Sequence, residues 1–201
     1  MILDYQDLDE HYFDSIADII LNRRLLIVKN KKFRLTEIEM YLRNNNHNDE
    51  YVHCIDDQLN YKTFYFHKFK TGTYKSGTFK GMDLTFGDKD TNTYFGILIR
   101  SIKDCETNEI IEGPCNCVNR ILKEYGMDSI SQFTENKTLN ILKNKHNFIV
   151  KREIFDKEDI YKGPRIGLGD KYPEFKLRPY RYVIFKNSIK KQRKTLNILV
   201  E

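Results

Sequence analysis

Thr36-Glu-Ile-Glu-Met-Tyr-Leu42 alternates between an apolar set, Ile38, Met40 and Leu42, and a polar set, Glu37, Glu39 and Tyr41. Side chains of an extended strand point in turn to its two faces. The stretch therefore reads as part of a strand over Phe33–Leu42, with one apolar face and one face bearing two carboxylates and a phenol. The polar face has two readings. It is an ordinary solvated face, or one carboxylate holds a water beside a pocket. A carboxylate so placed acts as a general base and stabilises a cationic sugar in the transition state.

Outward from this strand the pattern alternates between strands and helices. Phe13, Ile16 and Ile20 have helical spacing within 11–22. Leu25–Lys29 is a short strand, Asn30–Lys32 a turn and Asn44–Asp49 a polar loop. Thr63–Phe69, Leu84–Phe86 and Tyr94–Ser101 read as strands, the last two joined as a hairpin by Gly87–Thr93. Gly113-Pro114 opens a helix over 114–125 that Gly126 ends. Helices are expected over 128–133 and near 136–144, strands over Phe148–Glu153 and Tyr180–Lys186, and a glycine-rich loop or strand edge over Gly163–Gly169. No internal repeat or linker divides the chain. The expectation is one α+β domain over 1–201, a mostly antiparallel sheet with peripheral helices.

Composition narrows the class. With 201 residues, 40% apolar and 26 Tyr plus Phe, the chain is long enough for a core without disulfides. A net charge of +5 permits a polyanionic partner without demanding one. Cys54, Cys105, Cys115 and Cys117 have poor zinc spacing, so reduced thiols and no metal are expected. Met1–Glu10 has neither the basic nor the apolar region of a signal peptide, and no apolar run reaches membrane-spanning length. A cytoplasmic, intracellular location is the default expectation.

Gly72-Thr-Tyr-Lys-Ser-Gly-Thr-Phe-Lys-Gly-Met82 fits neither a helix nor a buried strand. Its glycines suggest a turning backbone or a close approach. Lys75, Lys80, Tyr74 and Phe79 suggest that what approaches is anionic and flat, as a nucleic acid is. His53 and His67 read either as structural histidines or as pocket residues. Arg100 and Arg165 read as phosphate or carboxylate clamps or as ion-pair partners. Asp83, next to Gly81-Met82, is a second carboxylate that either protonates a leaving group or caps a turn.

In order along roughly 20–185, the chain resembles the alkyladenine (methylpurine) DNA glycosylase family. Glu39-Met-Tyr-Leu followed by His53 resembles that family's Glu-Ala-Tyr-Leu and histidine. Gly72-Thr to Gly81-Met82 keeps its Gly-Thr…Gly-Met frame. Ile97-Leu-Ile-Arg100, Gly113-Pro114, Arg165-Ile-Gly-Leu-Gly169 and Arg178-Pro-Tyr-Arg-Tyr-Val183 resemble further family motifs in the same order. The resemblance implies a methylpurine-glycosylase-like fold and an N-glycosidic hydrolase acting on a base flipped from double-stranded DNA. It needs no cofactor, no obligate protein partner and no membrane, and works as a monomer. Glu39 would be the general base and Tyr41 and His53 pocket residues. His67, Gly77, Phe79 and Arg100 are further candidates for the substrate, Asp83 for catalysis, and Lys75, Lys80 and Arg165 for the nucleic-acid backbone.

The departures cluster in one place. Gly77 stands where the family has a stacking Tyr, Lys80 where it has an intercalating Tyr, and Gly87 where it has a pocket Asn. The loop between Tyr41 and His53 is three residues longer. Stacking contributes about 1–3 kcal/mol per base, so a lost ring argues against the usual purine. Phe79, Phe64 or Tyr74 would have to substitute. Three readings follow: a glycosylase of altered specificity, a hydrolase of a non-duplex nucleoside or nucleotide, or a non-catalytic nucleic-acid-binding relative.

Overall fold

The computed structural model describes residues 8–135 and 138–200. Residues 1–7, on which most of the N-terminal reading rests, lie outside them, as do Asn136, Lys137 and Glu201. A helix α1 (Phe13–Arg23) precedes strands β1 (Arg24–Val28), β2 (Lys31–Arg43), β3 (Tyr61–Phe66), β4 (Met82–Phe86), β5 (Tyr94–Asp104) and β6 (Ile110–Glu112). Helices α2 (Pro114–Tyr125) and α3 (Ile130–Thr134) follow, then β7 (Leu139–Asn140), β8 (Phe148–Arg152) and β9 (Tyr161–Gly163). The short helix α4 (Pro173–Lys176) leads to β10 (Arg181–Val183) and β11 (Ile198–Leu199).

The described strands form one sheet with the path β11-β9-β10-β2-β5-β4-β3-β7, and every pairing is antiparallel. β1 and β10 share one edge of β2, and β1 carries β8 on its far side. This is the single-domain α+β, mostly antiparallel architecture expected from the sequence. Among the described residues no helix is long and apolar enough to cross a membrane.

β2 explains why the sheet has two unlike faces. Ile38, Met40 and Leu42 are fully buried with Phe95, Ile97 and Ile99 of β5 and with Phe13, Ile16, Ala17, Ile20 and Leu21 of α1. Burial contributes about 1.5–3 kcal/mol per large apolar side chain, so a one-residue slip of β2 is strongly disfavoured. The register shifts twice, with Thr36 unmatched on β2 and Arg100 unmatched on β5. Each strand thus gains one residue, and both invert their alternation together. Phe33 and Leu35 face the core before the shift, Ile38 and Met40 after it. Bulges of this kind re-aim side chains next to functional sites.

The helix α2 starts and stops as expected. Gly113 precedes it at φ +104°, Pro114 opens it, and Gly126 closes it in the left-handed region at φ +66°. The expected helix near 136–144 is a correction. Its described part holds β7, because Leu139 and Ile141 alternate inward around exposed Asn140. The Asn140 carboxamide accepts from the N–H groups of Leu142 and Lys143, which turns the chain away from a helix. Two strands are shorter than expected. β3 stops at Phe66, and β10 stops at Val183 before Phe185 turns left-handed at φ +55°.

Gly87 has a packing reason that the sequence hides. A Cβ there would lie 2.6 Å from Thr93 O and 2.7 Å from Leu59 Cα, and would collide with Gln58 O. No side chain fits, and the collisions are with backbone. Gly87→Asn is expected to destabilise the fold by about 1–3 kcal/mol. That is a fall in Tm of roughly 2–4 °C per kcal/mol for a chain of this size, read by thermal denaturation.

Candidate active site

The polar face of β2 is not solvated. One row of residues crosses five strands in register: Arg181 on β10, Glu39 on β2, Leu98 on β5, Asp83 on β4 and Tyr65 on β3. Arg181 and Glu39 are fully buried, Asp83 is 2% exposed and Tyr65 1%. Glu39 and Asp83 thus share a face with a single strand between them, roughly 10 Å apart at Cα.

Glu39 is held on every side. Its Oε1 accepts from the Ile166 N–H at 2.7 Å, and its Oε2 accepts from the Tyr41 hydroxyl at 2.9 Å. Arg100 Nε lies 3.3 Å from Oε1. Burial pushes the carboxyl above its ordinary value, and Arg100 and the Ile166 N–H only partly counter it. Glu37 beside it accepts from Arg100 Nε at 3.0 Å and Arg181 Nε at 2.7 Å.

The Ile166 N–H is aimed by Arg165. That guanidinium donates to both oxygens of Asp49 at 2.5 and 3.0 Å, to Met40 O at 3.1 Å and to Phe175 O at 3.2 Å. It also lies 4.4 Å from the centre of the Tyr41 ring. Both side chains of the Arg165–Asp49 pair are wholly enclosed. The expectation that Arg165 contacts nucleic-acid phosphate is therefore corrected: it is spent inside the protein. Arg100 is corrected in the same sense, because its Nε is engaged by Glu37 and Glu39 and the residue is 6% exposed. It positions the carboxylates.

Beyond Tyr41 lies a cavity of about 80 Å³, lined by Tyr41, Tyr51, His53, Gln58, His67, Asp83 and Leu168. Asp83 Oδ1 is 2.8 Å from His67 Nε2. Two glycines make the room. A Cβ on Gly96 would come within 2.6 Å of Asp83 Oδ2, and one on Gly81 would strike the His67 ring. The His53 ring meets His67 edge to face with centroids 4.9 Å apart, and its Nδ1 is 3.4 Å from the Tyr65 hydroxyl. Burial pushes His53 down to about 4, helped by the adjacent His67 and Lys75. His53 is neutral near pH 7.

Tyr41, His53, His67 and Asp83 thus line one cavity, with Glu39 one hydrogen bond behind its wall. Lys75 stands at the rim, its Nζ 3.5 Å from His53 Nε2. Gly77 and Phe79 do not line the cavity. They form a short 3-10 turn, with Gly77 at φ +56° and Phe79 72% exposed. Lys80 Nζ reaches Asn119 of α2 at 2.8 Å. Phe64 and Tyr74 supply no ring to this cavity either, since Phe64 stacks on Phe148 in the core and Tyr74 lines a separate cleft. Asp49, Gln58, Tyr51, Leu168, Tyr65 and Arg181 were missed. Only Arg181, a cation in the otherwise apolar Tyr180–Phe185 strand, left a signal.

The chain is 52% identical over 208 residues to "Uncharacterized protein L759" of Acanthamoeba polyphaga mimivirus, an alignment covering 98% of this chain and 96% of that protein. No family model matches the chain.

A folded-state carboxyl above its ordinary value keeps its proton to higher pH than the unfolded chain does. Ionised Glu39 therefore costs stability, a cost absent below the usual glutamate pKa of about 4.3 and growing as pH rises toward the raised value. Glu39→Gln, which keeps an acceptor for Ile166 and a partner for Tyr41, is expected to raise Tm at pH 7 and leave it unchanged near pH 4. A lower Tm at pH 7 would contradict the assignment of burial as the dominant influence on Glu39.

Proposed function

Because the chain belongs to one family with mimivirus protein L759, itself uncharacterized, we infer the function from the site and propose an N-glycosidic hydrolase that acts on a modified base presented from DNA. The observation that carries this reading is Glu39. It is a fully buried carboxylate on three fixed donors, joined to a ring-lined cavity by the Tyr41 hydroxyl.

The chemistry follows from the two carboxylates. A water entering the cavity hands its proton to Glu39 across the Tyr41 hydroxyl and adds to C1′ of the sugar as the bond to the base breaks. The raised pKa of Glu39 suits a general base working near neutrality, and its charge stabilises the cationic sugar. His67, hydrogen-bonded to Asp83, donates a proton to the departing base. Neutral His53 and the Tyr41 ring face the base. Lys75 at the rim and exposed Phe79 in the connection from β3 to β4 favour a nucleic acid over a free nucleoside. The non-duplex substrate stays as the second reading, favoured by one contact: Lys80, at the intercalating position of the family it resembles, is tied to Asn119.

The test is release of abasic sites from duplex DNA carrying alkylated, deaminated or bulky bases. Glu39→Gln is expected to lower the rate about 10²–10⁴-fold. Unchanged activity sinks the mechanism. Hydrolysis of free nucleosides with no action on duplex favours the second reading, and DNA binding without any cleavage favours a non-catalytic relative.

Asp83→Asn tests the leaving-group role separately. A cationic alkylated purine departs without needing a proton, whereas a neutral deaminated base needs one. The variant is expected to slow release of neutral bases by about 10²-fold or more and of cationic ones far less. Equal losses on both would remove Asp83 and His67 from proton donation.

A further inference from the structure

We propose that the loop 186–194 is a docking surface for the phosphate backbone of double-stranded nucleic acid. The proposal rests on the reading of the site as one for a base presented from DNA, and it adds a surface beyond the reach of the family resemblance. Lys186-Asn-Ser-Ile-Lys-Lys-Gln-Arg-Lys194 holds five cations and no carboxylate. Lys190, Lys191, Arg193 and Lys194 are exposed.

Charge alone does not distinguish such a run from a solvated face. Two further observations do. The first is that these cations meet no carboxylate, their side-chain partners among the described residues being the Tyr161 ring, 4.5 Å from Lys186 Nζ, and Asn187 O, 3.2 Å from Arg193 Nη1. Several cations elsewhere on the surface, Lys31, Lys145, Lys162, Lys176 and Arg178, pair with carboxylates, and those that meet none among the described residues, such as Lys143, Lys151 and Lys157, are scattered along the chain. Among the described residues no carboxylate lies within ion-pair distance of Lys186, Lys190, Lys191, Arg193 or Lys194.

The second is that the loop backbone is pinned from within while its side chains point away. Arg181 Nη2 donates to Lys191 O at 2.8 Å and Nη1 to Gln192 O at 3.3 Å. Glu112 accepts from the N–H groups of Lys190 and Lys191 at 3.0 and 2.7 Å. Fixed cations lose less freedom on meeting a regular array of phosphates than cations on a loose tail do.

The loop also neighbours, through α2, the segment that carries Gly77 and Lys80. Lys191 Nζ lies 3.9 Å from where a Cβ of Gly113 would stand, at the N-terminus of α2. On the same helix Cys115 Sγ donates to Gly77 O at 3.0 Å and Asn119 accepts from Lys80. Gly113 to Asn119 spans about 9 Å of helix. Lys80 and the loop cations Lys190–Lys194 thus stand at the two ends of the Gly113–Asn119 stretch of α2. Phosphates advance about 3.4 Å per step along one strand, so the α2 stretch alone passes about three of them.

The test measures binding of an unmodified 20-base-pair duplex as a function of salt. Each phosphate contact contributes about 0.9 to the slope of log K against log salt. The combined variant Lys190→Gln, Lys191→Gln, Arg193→Gln and Lys194→Gln is expected to flatten that slope by about 3.6. A control with the same net charge, Lys89→Gln, Lys143→Gln, Lys151→Gln and Lys157→Gln, is expected to change it by less than about 1. Single variants Lys190→Gln and Lys194→Gln, each flattening it by about 1, serve if the combined variant lowers Tm. An unchanged slope in the loop variants overturns the proposal. So does equal flattening in the control, or wild-type binding to phosphatidylserine vesicles with none to the duplex. Binding is read without hydrolysis, so a flattened slope supports the loop even if no base is ever released, and released bases with an unchanged slope refute the loop alone.

Discussion

Glu37 is the carboxylate on which the arrangement depends. It is 1% exposed and accepts from Arg100 of β5 and Arg181 of β10 on the same oxygen. Removing an ion from water costs several kcal/mol, and only good pairing geometry offsets it. Removal of Glu37 would leave two buried guanidiniums without the oxygen they share. Arg181 then passes the constraint outward to the carbonyls of Lys191 and Gln192. One carboxylate thereby ties β2, β5, β10 and the C-terminal loop together.

Such a cluster is a poor device for stability alone, since well-packed apolar residues of similar volume commonly do as well or better. What it yields here is position. Arg100 is the unmatched residue of β5, and Thr36 the unmatched residue of β2. The paired irregularity turns Glu37, Glu39 and Arg100 toward one another without costing β2 its apolar face. Arg165 and Asp49 do the same for the backbone, fixing the loop whose Ile166 N–H meets Glu39.

How much of this was legible follows from which constraints are local. The alternation in Thr36–Leu42, the helical spacing of Phe13, Ile16 and Ile20, and the Pro114 and Gly126 ends of α2 are properties of neighbouring residues, and the expected elements formed. The burial of Glu37 and Glu39 was open in the sequence, because the partners that allow it are 63 and 144 residues away from Glu37. Asp49 lay in a polar loop with nothing to mark it as the counter-charge of Arg165. The glycines were informative for a reason the sequence does not contain. Gly81, Gly87 and Gly96 are required by the His67 ring, the Gln58 carbonyl and the Asp83 carboxylate, each brought in from elsewhere.

The two carboxylates of the row end in unlike surroundings, and in the proposed reaction that difference sets the direction of proton flow. Glu39 has donors on both oxygens and no exposed surface, yet burial still raises its pKa. A base of that kind takes a proton readily once a substrate cation develops beside it. Asp83 is instead joined to a single imidazole that opens on the cavity. The second imidazole, His53, stays neutral near pH 7 because burial and the neighbouring His67 and Lys75 oppose its charging. In the proposed reaction the His67–Asp83 pair and Glu39 stand on either side of Leu98, in the unlike environments that separate an acid from a base.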